Sequence, residues 1–102
     1  MERILACSVE DLAKGCSMTV SGDRAIALHR TDDGAFHATS DTCTHEKWSL
    51  GTDGDLEGNE IICPLHMARF NVATGEALCL PATVALKSYP VEIDGDSVYV
   101  VI

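Results

Sequence analysis

Positive charge is scarce in this chain: seven Lys and Arg stand against sixteen Asp and Glu in 102 residues, a formal net charge of −9. With so few basic residues and no cluster of them, nucleic acid and anionic membrane surfaces are excluded as main partners. Long apolar runs are missing as well, and no segment approaches the ~18 residues of a membrane span. Met1 to Cys7 has no apolar stretch behind a basic region, so neither a secretory signal nor a lipoprotein leader is expected, and the protein is expected in the cytoplasm. Aromatic residues make up only 5%, with Trp48 the one tryptophan. A chain of this length forms one domain, residues 1–102, burying roughly two thirds of its unfolded surface. Five cysteines is an odd number, which does not suit a disulfide scaffold.

What is present is a run of short alternating segments. Residues 25–28, 36–39, 60–62, 69–72, 89–93 and 98–102 read as strands separated by Gly- and Asp-rich turns, which predicts an all-β antiparallel barrel or sandwich. Only Val9 to Lys14 reads as helical, with Ser8 as its cap, Asp11 completing a box-like pattern and Gly15 as its stop. The turn at Asp32-Asp33-Gly34 is best read as a three-residue loop with Gly34 left-handed, because that register puts Ile26, Leu28, Phe36 and Ala38 on one face. It also sets His29 opposite His37 on the solvent side, as two plain surface histidines. Asp94-Gly95-Asp96 is expected to turn the last two strands into a hairpin.

The chemistry is concentrated in two short arms, Cys43-Thr44-His45 and Cys63-Pro64-Leu65-His66, separated by 17 residues. Together they offer two sulfur and two nitrogen ligands, a metal-binding set. A zinc finger usually pairs its cysteines in one spacing and its histidines in another. Mixed arms suit a two-iron, two-sulfide cluster instead, in which each arm gives a thiolate to one iron and an imidazole to the other. Cys7, Cys16 and Cys79 are then left over, as reduced and partly buried small side chains.

The residues Cys-Thr-His-Glu-Lys-Trp (43 to 48) and Cys-Pro-Leu-His-Met-Ala-Arg-Phe (63 to 70) resemble the two cluster-binding loops of Rieske proteins. The likeness is strongest to the small soluble Rieske-type ferredoxins of bacterial aromatic-ring-hydroxylating dioxygenase systems, components of aromatic hydrocarbon catabolism. The resemblance implies an all-β Rieske-type sandwich or barrel with a small cluster-binding subdomain of two loops, about residues 42–81, and one [2Fe-2S] cluster held by Cys43, His45, Cys63 and His66. It implies a one-electron carrier rather than an enzyme. Its partners would be a flavin-containing ferredoxin reductase fed by NAD(P)H and a terminal oxygenase, and the carrier would be a monomer.

Further expectations follow from the same resemblance. Respiratory Rieske proteins carry a disulfide between the loops; the matching positions here hold Trp48 and Leu65, which cannot form one. Their serine and tyrosine donors to sulfur are matched by Ala68 and Phe70, which donate nothing from the side chain, so a potential near the low end of the Rieske range, around −150 mV, is expected. Pro81 falls where relatives place a loop against the cluster. Trp48 is expected to pack beside the first arm and Met67 to shield the cluster. Lys47 and Arg69 are divided between contacting a partner and pairing with Glu46. The competing readings are a zinc-stabilised binding module and an iron-sulfur redox sensor. A catalytic oxygenase component is disfavoured, since a mononuclear iron site needs further histidines and a carboxylate.

Overall fold

The structure, a computed structural model, describes residues 2–20, 24–43, 48–64, 67–79 and 84–102. Eleven short strands are described, forming three antiparallel sheets. The first sheet joins β1 (Arg3–Ser8), β11 (Ser97–Val101) and β10 (Val91–Asp94), in that order. The second runs β2 (Cys16–Val20), β3 (Ile26–Arg30), β4 (Phe36–Ser40), β9 (Ser88–Tyr89). The third runs β5 (Asp55–Glu57), β6 (Glu60–Ile62), β7 (Arg69–Asn71), β8 (Ala77–Cys79). The all-β expectation therefore holds.

The first two sheets share one core. Met18 and Val20 of β2, Ile26 and Leu28 of β3, and Phe36 and Ala38 of β4 meet Val98 and Val100 of β11, with Leu12 closing the end. This is the face predicted from the hairpin register, and the pairing agrees: Leu28 lies opposite Ala38 and His29 opposite His37. The Gly34 N–H donates to the Thr31 carbonyl at 2.9 Å, and Gly34 has a φ of +90°, the left-handed position that the tight loop requires. The last hairpin also turns at Gly95 and Asp96, between Asp94 and its partner Ser97.

The prediction for His29 needs correction. It is fully buried rather than on the solvent side, although His37 opposite it is only half-buried. The second face of β2, β3 and β4 is covered, and a four-residue helix, α1 (Leu50–Asp53), lies against β2. A Cβ placed on Gly51 would come within 2.6 Å of the Met18 carbonyl, so helix and strand backbones touch directly. On this covered face a polar stripe takes the place of an apolar one. Ser17 Oγ is 2.7 Å from His29 Nδ1, and Thr39 Oγ1 is 2.9 Å from His29 Nε2.

The helix expected over Val9 to Lys14 is a single 3-10 turn, Val9–Asp11. Its start follows the predicted box, the Ser8 N–H donating to Asp11 Oδ2 at 2.9 Å. It ends early, Leu12 being already extended at φ −124° and ψ 113°, and the Arg30 guanidinium donates to the carbonyls of Val9 and Leu12 at 3.2 and 3.0 Å.

Candidate metal centre

Each arm emerges from a strand end and is closed by its own backbone. The first follows β4. Thr42 bridges to Ser49, and the Cys43 N–H donates to the Trp48 carbonyl at 3.0 Å. The second follows β6 directly, and the Cys63 N–H donates to the Ala68 carbonyl at 2.7 Å. Both backbone amides are thus committed to closing their segments.

Cys43 is 3% exposed and Cys63 fully buried. They belong to one apolar cluster, with Leu50, Ile61, Ala68, Phe70, Val72 and Leu86. This second core is separate from the one between the first two sheets and sits on the β5–β8 sheet. Two thiols in one water-poor cluster, neither of them in a disulfide, with a histidine beside each in the sequence, make a donor set that fits an iron-sulfur cluster. The other two expected ligands, His45 and His66, lie outside the described residues, as do Lys47, Glu46 and Pro81.

The surroundings of the cysteines are as apolar as expected: the Ala68 and Phe70 side chains are fully buried beside them. Other neighbours differ from expectation. Met67, expected to shield the cluster, is 55% exposed. With a φ of +59° it is the one described non-glycine residue in the left-handed region. Trp48 is 41% exposed, so its packing beside the first arm is partial, and its carbonyl rather than its ring closes the segment. Arg69 pairs within its own sheet, with Glu60 at 3.4 Å and Glu57 at 3.7 Å.

Of the three remaining cysteines only Cys7 is partly buried as read. Burial, followed by the nearby Asp11 carboxylate, pushes its thiol pKa up, which keeps it protonated and unreactive. Cys16 and Cys79 are exposed, contrary to expectation. Both lie on short strands that the sequence reading did not mark. His29 offers no second metal site, since both its ring nitrogens are engaged by hydroxyls. Burial, with a smaller contribution from His37, lowers its pKa to about 4, so the ring is neutral at pH 7.

Two cysteines brought into one buried core by separate arms can be set against known proteins. The model of the Rieske [2Fe-2S] domain matches residues 2–90. The chain belongs to the Rieske family. Its cofactor is accordingly a [2Fe-2S] cluster. Among curated Rieske proteins it is 41% identical over 101 residues to the 3-phenylpropionate/cinnamic acid dioxygenase ferredoxin subunit of Escherichia coli (strain K12), covering 98% of this chain and 93% of that one. It is 42% identical over 95 residues to the biphenyl dioxygenase ferredoxin subunit of Pseudomonas sp. (strain KKS102), covering 93% and 87%. Among solved structures, a chain in the complex of reduced oxygenase and oxidized ferredoxin in carbazole 1,9a-dioxygenase superposes with a TM-score of 0.88 at 37% identity, over 96% of this chain and 91% of that one. The Rieske fold explains why the second core is built around two cysteines. It also leaves the zinc-module reading without support.

Proposed function

We propose that this Rieske protein is a soluble, cytoplasmic, monomeric one-electron carrier of an aromatic-ring-hydroxylating dioxygenase system. It receives electrons from an NAD(P)H-dependent flavin ferredoxin reductase and delivers them to a terminal oxygenase. The observation that carries the reading is the shared burial of Cys43 and Cys63 in one apolar core on a chain that matches dioxygenase ferredoxin subunits over nearly its whole length. The complex of oxygenase and ferredoxin in a similar structure supports the oxygenase as the acceptor.

In this reading Cys43, His45, Cys63 and His66 hold the cluster, and residues 1–102 act as one domain with the cluster-binding part at about 42–81. When bound, such a cluster takes up and releases one electron at a time, and exchanging two thiolates for neutral imidazoles makes that uptake easier than in a four-thiolate site. The chain's own residues set the rest. The core around Cys43 and Cys63 excludes water from the sulfur ligands. The amides of Cys43 and Cys63 are spent on Trp48 and Ala68, and Ala68 and Phe70 bring no hydroxyl. Without hydroxyl donors at positions 68 and 70 the electron-rich state is less stabilised than in sites that have them, which favours a potential low in the Rieske range, around −150 mV.

The test is low-temperature electron paramagnetic resonance on anaerobically purified, dithionite-reduced protein, with iron and acid-labile sulfide counted on the same sample. A rhombic signal averaging about 1.9 with two irons and two sulfides per chain is expected. Colourless protein containing stoichiometric zinc after iron-replete expression would overturn the reading. Stopped-flow mixing with a reductase and an aromatic-ring oxygenase then tests the direction of transfer.

A further inference from the structure

The first arm is gripped at its base by one buried carboxylate that no ligand role accounts for. Asp41 is 6% exposed and stands just past the end of β4. Its backbone N–H donates to the Ala25 carbonyl at 2.9 Å, and its own carbonyl accepts the Leu50 N–H at 2.7 Å. Its Oδ1 accepts the Gly51 N–H at 2.8 Å and the Thr19 hydroxyl at 3.2 Å. Thr19 Oγ1 also lies 3.0 Å from Ser49 Oγ and 2.8 Å from Thr52 Oγ1, so the hydroxyls of β2 and of the α1 turn converge on the same point. A single residue thereby ties β3, β2 and α1 to the end of β4.

These contacts form the outermost rung of a short neck. Asp41 is bonded to Leu50, Thr42 is bridged to Ser49, and Cys43 is bonded to the Trp48 carbonyl. Cys43 is therefore on the rung furthest into the segment, and its place depends on the rungs beneath it. Nothing else fits at the base: a side chain at position 51 would collide with the backbone of Met18 and Thr19, at 2.6 and 2.7 Å, so α1 can rest on β2 only in this close arrangement. The Gly51 N–H is buried there and has Asp41 Oδ1 as its acceptor. Removing the carboxylate leaves that donor unsatisfied and loosens α1 from the strand end, the kind of loss a buried amide tolerates poorly.

We propose that Asp41 is the positioning residue of the first ligand-bearing arm, acting through the neck it closes at Leu50 and Gly51. The inference rests on the reading that Cys43 and His45 hold the cluster. It is specific about chemistry: what is needed at position 41 is an acceptor oxygen of carboxylate shape. An asparagine supplies the same Oδ1 acceptor to Gly51 and Thr19, and an alanine supplies none.

The experiment compares cluster-loaded wild type, Asp41→Ala, Asp41→Asn and the control Val100→Ala. Each is challenged anaerobically with a ferrous chelator while its visible absorbance is followed, and each reduced signal is recorded by electron paramagnetic resonance. Asp41→Ala is expected to lose its cluster roughly tenfold faster, the factor corresponding to one lost buried hydrogen bond, and to broaden the signal. Asp41→Asn should restore both to near wild type. Val100→Ala, in the other core, should lower the unfolding temperature without changing either.

A wild-type rate and line shape in Asp41→Ala would overturn the proposal, and so would equal acceleration by Val100→Ala. Should Asp41→Ala not fold, Thr19→Val decides: a smaller acceleration is expected, and a wild-type rate sinks the idea. Wild-type protein lacking iron and sulfide would instead defeat the ligand assignment. The neck is then read by amide hydrogen exchange at Cys43, which Asp41→Ala must accelerate if the proposal is right.

Discussion

Ala68 shows how much one side chain can withhold. Its carbonyl closes the second arm on the Cys63 N–H, and its methyl group lies in the same buried core as Cys43 and Cys63. Ala68→Ser adds one hydroxyl at a position that now has no side-chain donor. If that hydroxyl reaches sulfur, a hydrogen bond of roughly 1 kcal/mol raises the midpoint potential by on the order of 40 mV, read by protein-film voltammetry. An unchanged potential would count against the tuning argument. His29 is the other decisive single residue. Buried between Ser17 and Thr39 and facing His37, it has its pKa lowered to about 4. Above the ordinary histidine pKa near 6.5 neither the folded nor the unfolded chain binds its proton. Between about 6.5 and about 4 only the unfolded chain does, so stability falls as the pH drops through that window, by on the order of 3 kcal/mol. Urea unfolding from pH 7 to pH 4 should show this loss in wild type and a smaller one in His29→Gln.

At the scale of elements, the strands the sequence did not reveal each have a physical reason. In β1 the register shifts between Leu5 and Cys7, so Ile4 opposes Val100 and Cys7 opposes Val98, and both side chains reach the core. That bulge breaks the two-residue period, and Ile4-Leu5-Ala6-Cys7 reads as no pattern at all. β5, Asp55-Leu56-Glu57, has a single apolar residue, and β8, Ala77-Leu78-Cys79, has neither the β-branched nor the aromatic residue that marks the equally short β6 and β7. β2 was within reach, since Ser17 and Thr19 alternate with Met18 and Val20. The single strand read over 89–93 is divided at Pro90. Tyr89 pairs with Ala38 in one sheet and Val91 with Val100 in another, and the proline, lacking an N–H, marks the change of sheet. The turn after β7 is equally constrained. Gly75 has a φ of +81°, and a Cβ there would lie 2.0 Å from the Leu86 carbonyl oxygen. Gly75→Ala should therefore destabilise the cluster-side core by roughly 1–3 kcal/mol in denaturant unfolding. A change below about 0.5 kcal/mol would show that the segment around Leu86 yields freely.

For the whole molecule, the division into two cores matters most. One core, between the first two sheets, has only aliphatic residues among its fully buried members and contains none of the four proposed ligands. The other carries Cys43 and Cys63 on the β5–β8 sheet. The surface is strongly acidic, and two of the few basic residues are occupied: Arg3 pairs with Glu92 at 3.3 Å and Arg69 with Glu60 at 3.4 Å. With a net charge of −9, association with a partner presenting Lys and Arg should be fast at low salt. If the proposed carrier role holds, second-order rates of electron transfer with a flavin reductase and an oxygenase will fall by roughly an order of magnitude or more between low and high ionic strength. A rate independent of salt would show that the negative charge serves solubility alone.

The sequence by itself determined the class of fold and marked the two Cys/His arms as the proposed ligand carriers. Cys-x-His and Cys-x-x-His are local patterns, and the register of the Gly34 hairpin follows from which residues must share an apolar face, so both are legible along the chain. The tertiary structure alone decided what long-range packing controls. It buried His29 under a covered face that a single hairpin would leave open to water. It limited the Val9 helix to one turn, with Arg30, distant in sequence, donating to the carbonyls of Val9 and Leu12. It left Met67 exposed, on backbone of positive φ. It also joined Asp41 to Gly51 and Thr19, closing the neck below Cys43. These outcomes depend on contacts between residues far apart in the chain, and no period or spacing within one segment records them.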